Sequence, residues 1–174
     1  MNQLNGTSTV IVGLAIGLLA AADFGGPCSK AATAFTLALM AEGIYGPNGA
    51  FRMCCAIPPL GMALASLILK NKYDKADRQL GISALFLSSA GITEGAIPFA
   101  GKDFKHTWIA CAIGTSIAGA LAMLHNVSSV VAFGGIVAIS GVFKSPLWYI
   151  VDMLIGAGTV SYTHLRAHET RRHL

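Results

Sequence analysis

Gly91-Ile92-Thr93-Glu94-Gly95-Ala96-Ile97-Pro98-Phe99 sets a single carboxylate inside an apolar segment. Gly91, Gly95 and Pro98 are all poor residues in a continuous helix. In water such a stretch would be a loop. Its flanks are apolar, however, with Leu85-Phe86-Leu87 before it and Phe99-Ala100 at its end. A broken helix carrying an ionisable group at membrane depth is tolerated where it faces protein or a wet cavity. The stretch therefore predicts that Glu94 lines a polar substrate site. The competing reading is a paired or interfacial carboxylate near a helix end.

The composition around it agrees with a membrane setting. Charged residues make up 11% of the 174 residues and hydrophobic ones 54%, with a mean hydropathy of +0.63. An ordinary soluble domain carries about 25% charge. The 20 glycines fit helices that approach closely in a bilayer. The formal charge of +4 is a tail effect, because three of the five Arg and three of the five His fall in the last eleven residues. It does not mark a nucleic-acid patch. Cys28, Cys54, Cys55 and Cys111 form no C-x-x-C pair and sit in or beside apolar runs. They read as small buried apolar residues, and the sequence calls for no metal and no cofactor. The first apolar run has no basic n-region and no cleavage site, so it reads as a retained span.

In chain order the pattern predicts an all-α polytopic membrane protein of about six apolar helical segments. Thr9 to Ala22 is the first, extending back towards Leu4. It is broken by Asp23-Phe24-Gly25-Gly26-Pro27-Cys28-Ser29-Lys30. Pro27 suits the first turn of the next helix, over Ser29 to Tyr45. Gly46-Pro47-Asn48-Gly49 reads as a turn. Ala50 to Leu69 follows, with Pro58-Pro59 predicting a kink. Lys70 to Arg78 is a charged, hence cytoplasmic, loop. Gly101-Lys102-Asp103-Phe104-Lys105-His106 is a second Lys-bearing loop. One straight crossing between the two would break the positive-inside rule at one of them. A re-entrant hairpin around Glu94, entering and leaving from the cytoplasm, satisfies both.

Thr107 to Leu124 is the cleanest span, with Gly114, Ala118, Gly119 and Ala122 on a close-packing face. His125-Asn126 reads as external and His106 as cytoplasmic. Val127 to Phe143 is an apolar segment interrupted by Gly134-Gly135, and Lys144 is expected on the cytoplasmic side. The last span starts at Pro146 and ends near Val160, with Trp148 and Tyr149 at its interface. Glu42, Arg52 and Asp152 read as structural partners or span-end residues.

Composition then changes abruptly. Residues 160–174 show neither apolar periodicity nor a turn joining them to the span. His164 and His168 stand at i, i+4, but no third ligand has a fixed position. The stretch resembles translated adaptor sequence at the end of an interrupted reading frame. The fold and function arguments therefore rest on residues 1–159, read as part of a transporter membrane domain whose native chain continues past about Thr159.

Two stretches carry chemistry: Asp23 to Ala32, and Gly91 to Phe99. Each places a charge beside a helix break, where free backbone groups suit a polar substrate at mid-membrane. Asp23 and Lys30 are placed to pair across the Gly-Gly-Pro turn. Together the stretches resemble the membrane-embedded C subunit of bacterial fructose-type phosphotransferase systems. That family has D-x-G-G-P-x-N-K-A-A followed, at a similar distance, by I-T-E-G-A-I-P-F. Pro58 to Ala65, the charged loop before the glutamate stretch, and residues 8 to 158 as a whole share the likeness. The chain departs from it at Ser29, where the family has Asn. It departs again at Ala132-Phe133-Gly134-Gly135, where the family often has Pro-His-Gly-Gly.

The resemblance implies a bacterial inner-membrane permease component, corresponding to the C-terminal half, or somewhat more, of such a membrane domain and working as a homodimer. Its sugar, fructose or a relative, would be phosphorylated by the phosphocysteine of a partner IIB module, itself charged by IIA and HPr carriers. It implies Glu94, Thr93, Gly95, Asp23, Gly25, Gly26, Ser29 and Lys30 as sugar-binding residues, with Glu94 also assisting removal of the hydroxyl proton. Phosphoryl transfer is mostly positioning and charge stabilisation, and the chain supplies no nucleophile of its own. Two other classes remain open: an ion- or proton-coupled transporter using Glu94 as its coupling site, and a fragment without function.

Overall fold

The computed structural model describes residues 6–68 and 73–171, with side chains described for 7–68 and 73–167. The expected extension towards Leu4 and the loop over 69–72 lie outside these residues.

Helix α3 (Gly46–Ile68) is the axis of the molecule and is buried over almost its whole length. Helices α1 (Gly6–Ala21), α2 (Pro27–Ala41), α4 (Lys75–Ser89), α6 (Phe104–Leu124) and α7 (Pro146–Arg171) pack on it. A 3-10 turn (Thr93–Ala96) and the short helix α5 (Ile97–Lys102) lie between α4 and α6. Only α3 and α6 among the described residues are long and apolar enough, at 23 and 21 residues, to cross a membrane by that measure.

The predicted small-residue face of α6 is used on two sides. Gly119 lies against Gly13 and Gly17 of α1, so that a Cβ there would strike the Gly13 carbonyl oxygen. Gly114 lies against Gly156 and Val160 of α7. Ala118 and Ala122 are fully buried. Backbones this close gain dispersion contacts that larger side chains would prevent.

Several expectations need correction. Gly46-Pro47-Asn48-Gly49 is the first turn of α3, with Asn48 fully buried. Pro at the start of a helix costs no hydrogen bond, so the turn signal and the helix signal coincide there. Pro58 and Pro59 lie inside α3, as expected, and the helix continues beyond them to Ile68. Val127 to Phe143 is not helical: strand β1 (Ser128–Ser129), a 3-10 turn (Ile136–Gly141) and strand β2 (Val142–Lys144) replace the expected segment. The strands pair antiparallel, with Ser128 opposite Lys144. Gly135, at φ 75°, and a run rich in β-branched residues disfavour helix here. Lys144 consequently returns to the end of the molecule where α6 finished, and not to the opposite end. Cys54, Cys55 and Cys111 are buried as expected, but Cys28 is exposed.

The chain from Lys75 to Lys102 likewise returns to its starting end. Lys102 on α5 forms an ion pair with Asp77 in the first turn of α4. Finally, α7 continues as one helix through Val160 to Arg171, and Val160 and His164 are buried. No break in the backbone accompanies the change of composition. The side chain of His168 lies outside the described residues.

Candidate functional site

Asp23 organises the turn between α1 and α2. Its carboxylate accepts from the backbone N–H of Gly26 at 3.0 Å, of Ser29 at 3.2 Å, and of Cys28. The Ser29 hydroxyl donates to the same carboxylate at 2.7 Å. Asp23 thus occupies the free N–H groups at the start of α2, as a capping residue does. The expected pairing with Lys30 does not form among the described residues; Lys30 is exposed on α2. The amides are closer and fixed, and they use the acceptor sites of Asp23. Trp108 of α6 pins the turn from behind, donating its indole N–H to the Ala22 carbonyl at 3.0 Å. Phe24 meets Phe104 edge-on, with ring centroids 6.5 Å apart.

This geometry presents Gly25, at φ 98°, to Glu94. A Cβ built on Gly25 would lie 2.5 Å from Glu94 Cδ and 2.6 Å from its Oε1. Two stretches far apart in sequence therefore meet with carboxylate against bare backbone. Glu94 is exposed, and no hydrogen-bond donor engages its carboxylate among the described residues. Asp23 is saturated and structural; Glu94 has its acceptor sites free.

Thr93 and Gly95 hold the glutamate in place from the other side. Pro59 has no N–H, so the carbonyl of Cys55 loses its usual partner four residues on. The Thr93 hydroxyl fills that vacancy at 3.1 Å, and Thr93 is buried. The Ser88 hydroxyl of α4 donates to the next carbonyl, that of Ala56, at 3.0 Å. A Cβ on Gly95 would lie 2.9 Å from Pro59 Cβ and 3.0 Å from Leu87 Cβ. These residues fit the 3-10 turn onto α3.

The tip of this segment meets the tip of the 127–144 excursion. Gly91, at φ 70°, lies against the backbone of Gly134 and Gly135, and Gly134 lies on the Arg52 carbonyl. Asn48 anchors the second excursion by donating to the carbonyls of Ser129, at 3.0 Å, and Val131, at 2.9 Å. Tyr149 adds a hydrogen bond to the Gly135 carbonyl at 2.9 Å. Sequence reasoning missed Asn48 and Tyr149, since one stood in a turn motif and the other read as an interfacial aromatic. Asp152 does have the structural partner expected of it: His125 Nδ1 lies 2.9 Å from its carboxylate and the imidazole stacks on Trp148. His106 is held by Asp103, the N-cap of α6, so the two histidines stand at opposite ends of that helix. Glu42 is exposed at the C-terminus of α2.

The joined motifs have parallels in known proteins. The chain is 36% identical over 157 residues to the PTS system fructose-specific EIIABC component of Bacillus subtilis, covering 90% of this chain and 25% of that protein. It is 37% identical over 157 residues to the fructose permease IIC component of Bacillus amyloliquefaciens, covering 90% of this chain and 51% of that protein. The chain is homologous to fructose-specific IIC components of the sugar phosphotransferase system. A third relative, the fructose-like permease IIC component 2 of Escherichia coli, is 35% identical over 150 residues, 86% of this chain and 42% of that protein. The chain spans about a quarter to a half of the length of these relatives. No protein-family model matches it, and no solved structure matches it. Ser29, where the chain departs from the expected motif, is the residue bonded to Asp23, and Phe133 stands exposed beside Gly134.

Proposed function

We propose that residues 1–159 belong to the membrane domain of a bacterial inner-membrane sugar permease of the phosphoenolpyruvate-dependent phosphotransferase system. The domain binds fructose or a related sugar and presents it to a partner IIB module, which phosphorylates it during uptake. The observation that carries this is Glu94: an exposed carboxylate with free acceptor sites, pressed on Gly25 where the two motifs meet. Sugar hydroxyls donate to Glu94, and charge-assisted hydrogen bonds of this kind are strong. Asp23, Gly26 and Ser29 shape the turn that presents Gly25, Lys30 stands at its rim, and Thr93 and Gly95 hold Glu94 in register. Glu94 also draws the proton from the hydroxyl that attacks phosphorus. Several relatives are named as joining B and C modules in one component, which supports a IIB partner, charged in turn by IIA and HPr. The domain works as a homodimer.

The hairpin that ends in the Asp77–Lys102 pair is re-entrant from the cytoplasm, and the 127–144 excursion re-enters from outside. Non-helical backbone at that depth is tolerated because it is buried in protein.

Glu94→Gln tests the function in the complete permease that carries this segment. The amide keeps the shape and loses the charge. Losing one charge-assisted hydrogen bond costs about 1.5–3 kcal/mol. Two such losses lower sugar phosphorylation by more than about a hundredfold, at 1.4 kcal/mol per factor of ten. Sugar binding and phosphoryl transfer, measured on the same folded variant, should both fall. Unchanged binding and phosphorylation would defeat the assignment. Sugar exchange that persists while proton coupling is lost would point to an ion-coupled transporter instead.

A further inference from the structure

Arg52 is a buried charge that the proposed function leaves without a role. The residue is 7% exposed on α3. Its Nε donates to Asn48 Oδ1 at 3.2 Å, and its guanidinium carbon lies 5.5 Å from the centroid of the Phe51 ring. Its Nη2 is buried and has no hydrogen-bond partner among the described residues. No carboxylate pairs with it among those residues either. A buried guanidinium without a counter-charge is costly, because its lost hydration is not replaced.

Its surroundings tie it to the site. Gly134 rests on its carbonyl, at the meeting of the two tips. Cys55 lies three residues on, about one turn along the same face of α3. The carbonyl of Cys55 receives the hydroxyl of Thr93, the neighbour of Glu94. Arg52 and the carbonyl that anchors the residue next to Glu94 thus stand about one helical turn apart along α3.

We propose that Arg52 receives a carboxylate of the transported sugar, so that the site takes a sugar acid in preference to a neutral ketose. This rests on the sugar-binding reading of Glu94 above. A hydroxyl would fill a hydrogen-bond vacancy but leave the buried charge uncompensated. A carboxylate does both, and its planar geometry matches the guanidinium fork. A phosphoryl group fits less well. Arg52 lies towards the end of α3 where Gly49 packs on Val127 and Ser128, whereas Asp77 and Lys102 join at the other end. The phosphate donor of the proposed reaction approaches from that second end. The substrate is then held at two points, its reacting hydroxyls at Glu94 and its carboxylate at Arg52.

The test uses the complete permease with its IIB partner in proteoliposomes, and compares phosphorylation of fructose and of galacturonate as a representative hexuronate. The wild type should favour galacturonate by about tenfold to a hundredfold in kcat/KM, the span of one charge-assisted hydrogen bond. Arg52→Met should collapse that ratio, and Arg52→Lys should keep part of it. Inorganic phosphate and fructose 1-phosphate serve as competitors. A wild type that turns over fructose as well as galacturonate overturns the proposal without needing any variant to fold. So does a ratio that survives in Arg52→Met, or competition by phosphate alone that vanishes with the arginine. Turnover of fructose only would defeat the Arg52 assignment and leave the permease reading standing. Turnover of neither sugar would defeat both.

Discussion

Thr93 repairs a backbone defect that the double proline creates. With Pro59 unable to donate, the Cys55 carbonyl has the Thr93 hydroxyl as its partner in a buried setting. Thr93→Val keeps the shape and removes the donor. It should destabilise the domain by about 1–3 kcal/mol, the cost of leaving a buried acceptor unpaired. Thr93→Ser should recover most of that. Thermal denaturation of the detergent-solubilised permease measures both, and a Thr93→Val protein as stable as the parent would show that another donor reaches Cys55. At this scale the sequence was only partly legible. Glu94 stood out because a carboxylate in an apolar run is costly. The roles of Asp23 and Thr93 did not, since each depends on backbone groups that no spacing rule locates. Arg52 looked like a span-end charge because its orphaned Nη2 exists only in the folded packing.

Among the elements, the α6 glycine face and the broken segment around Glu94 could be read directly, because small residues and helix breakers act locally. The 127–144 excursion could not. Its apolar content matched a span, and only the pairing of Ser128 with Lys144 reveals that it turns back. Pairing across such a distance leaves no local signature. The consequence for topology is specific. Cysteines introduced at Lys75 and Lys105 should react with a membrane-impermeant thiol reagent only when the cytoplasmic face is opened, and one at Ser145 only from outside. The Ser145 hydroxyl donates to the His125 carbonyl, which ties that position to the far end of α6. External labelling at Lys105, or labelling of Ser145 and Lys105 from one side, would defeat the arrangement.

At the level of the whole molecule, the change of composition at residue 160 and the helix that runs through it make separate claims. Composition tells how a stretch was selected; a helix tells what its local propensity permits, and α7 carries on to Arg171. Val160 packs against Gly61 and Gly114, so α7 still contributes to the core at that position. We expect removal of residues 162–174 to leave membrane insertion and sugar phosphorylation unchanged in the complete permease. A measurable loss of uptake on truncation would mean that the buried His164 belongs to the working protein. The general class, a mostly helical apolar molecule, followed from hydropathy alone, whereas the convergence of Gly25 on Glu94 required the fold.

Where Gly91 meets Gly134 and Gly135, main chain rests on main chain. Such a contact behaves as a gasket and not as a latch. The nearest atoms across it are backbone, so rotamer hopping on the picosecond-to-nanosecond scale does not part it. Parting the two tips requires both excursions to move as bodies, on the microsecond-to-millisecond scale of collective motion. Slip of sugar past the site without chemistry should therefore be rare. Gly134→Ala, whose added methyl strikes the Arg52 carbonyl, should wedge the seal and raise the passive leak of radiolabelled sugar into vesicles. A leak unchanged by that methyl would place the barrier elsewhere.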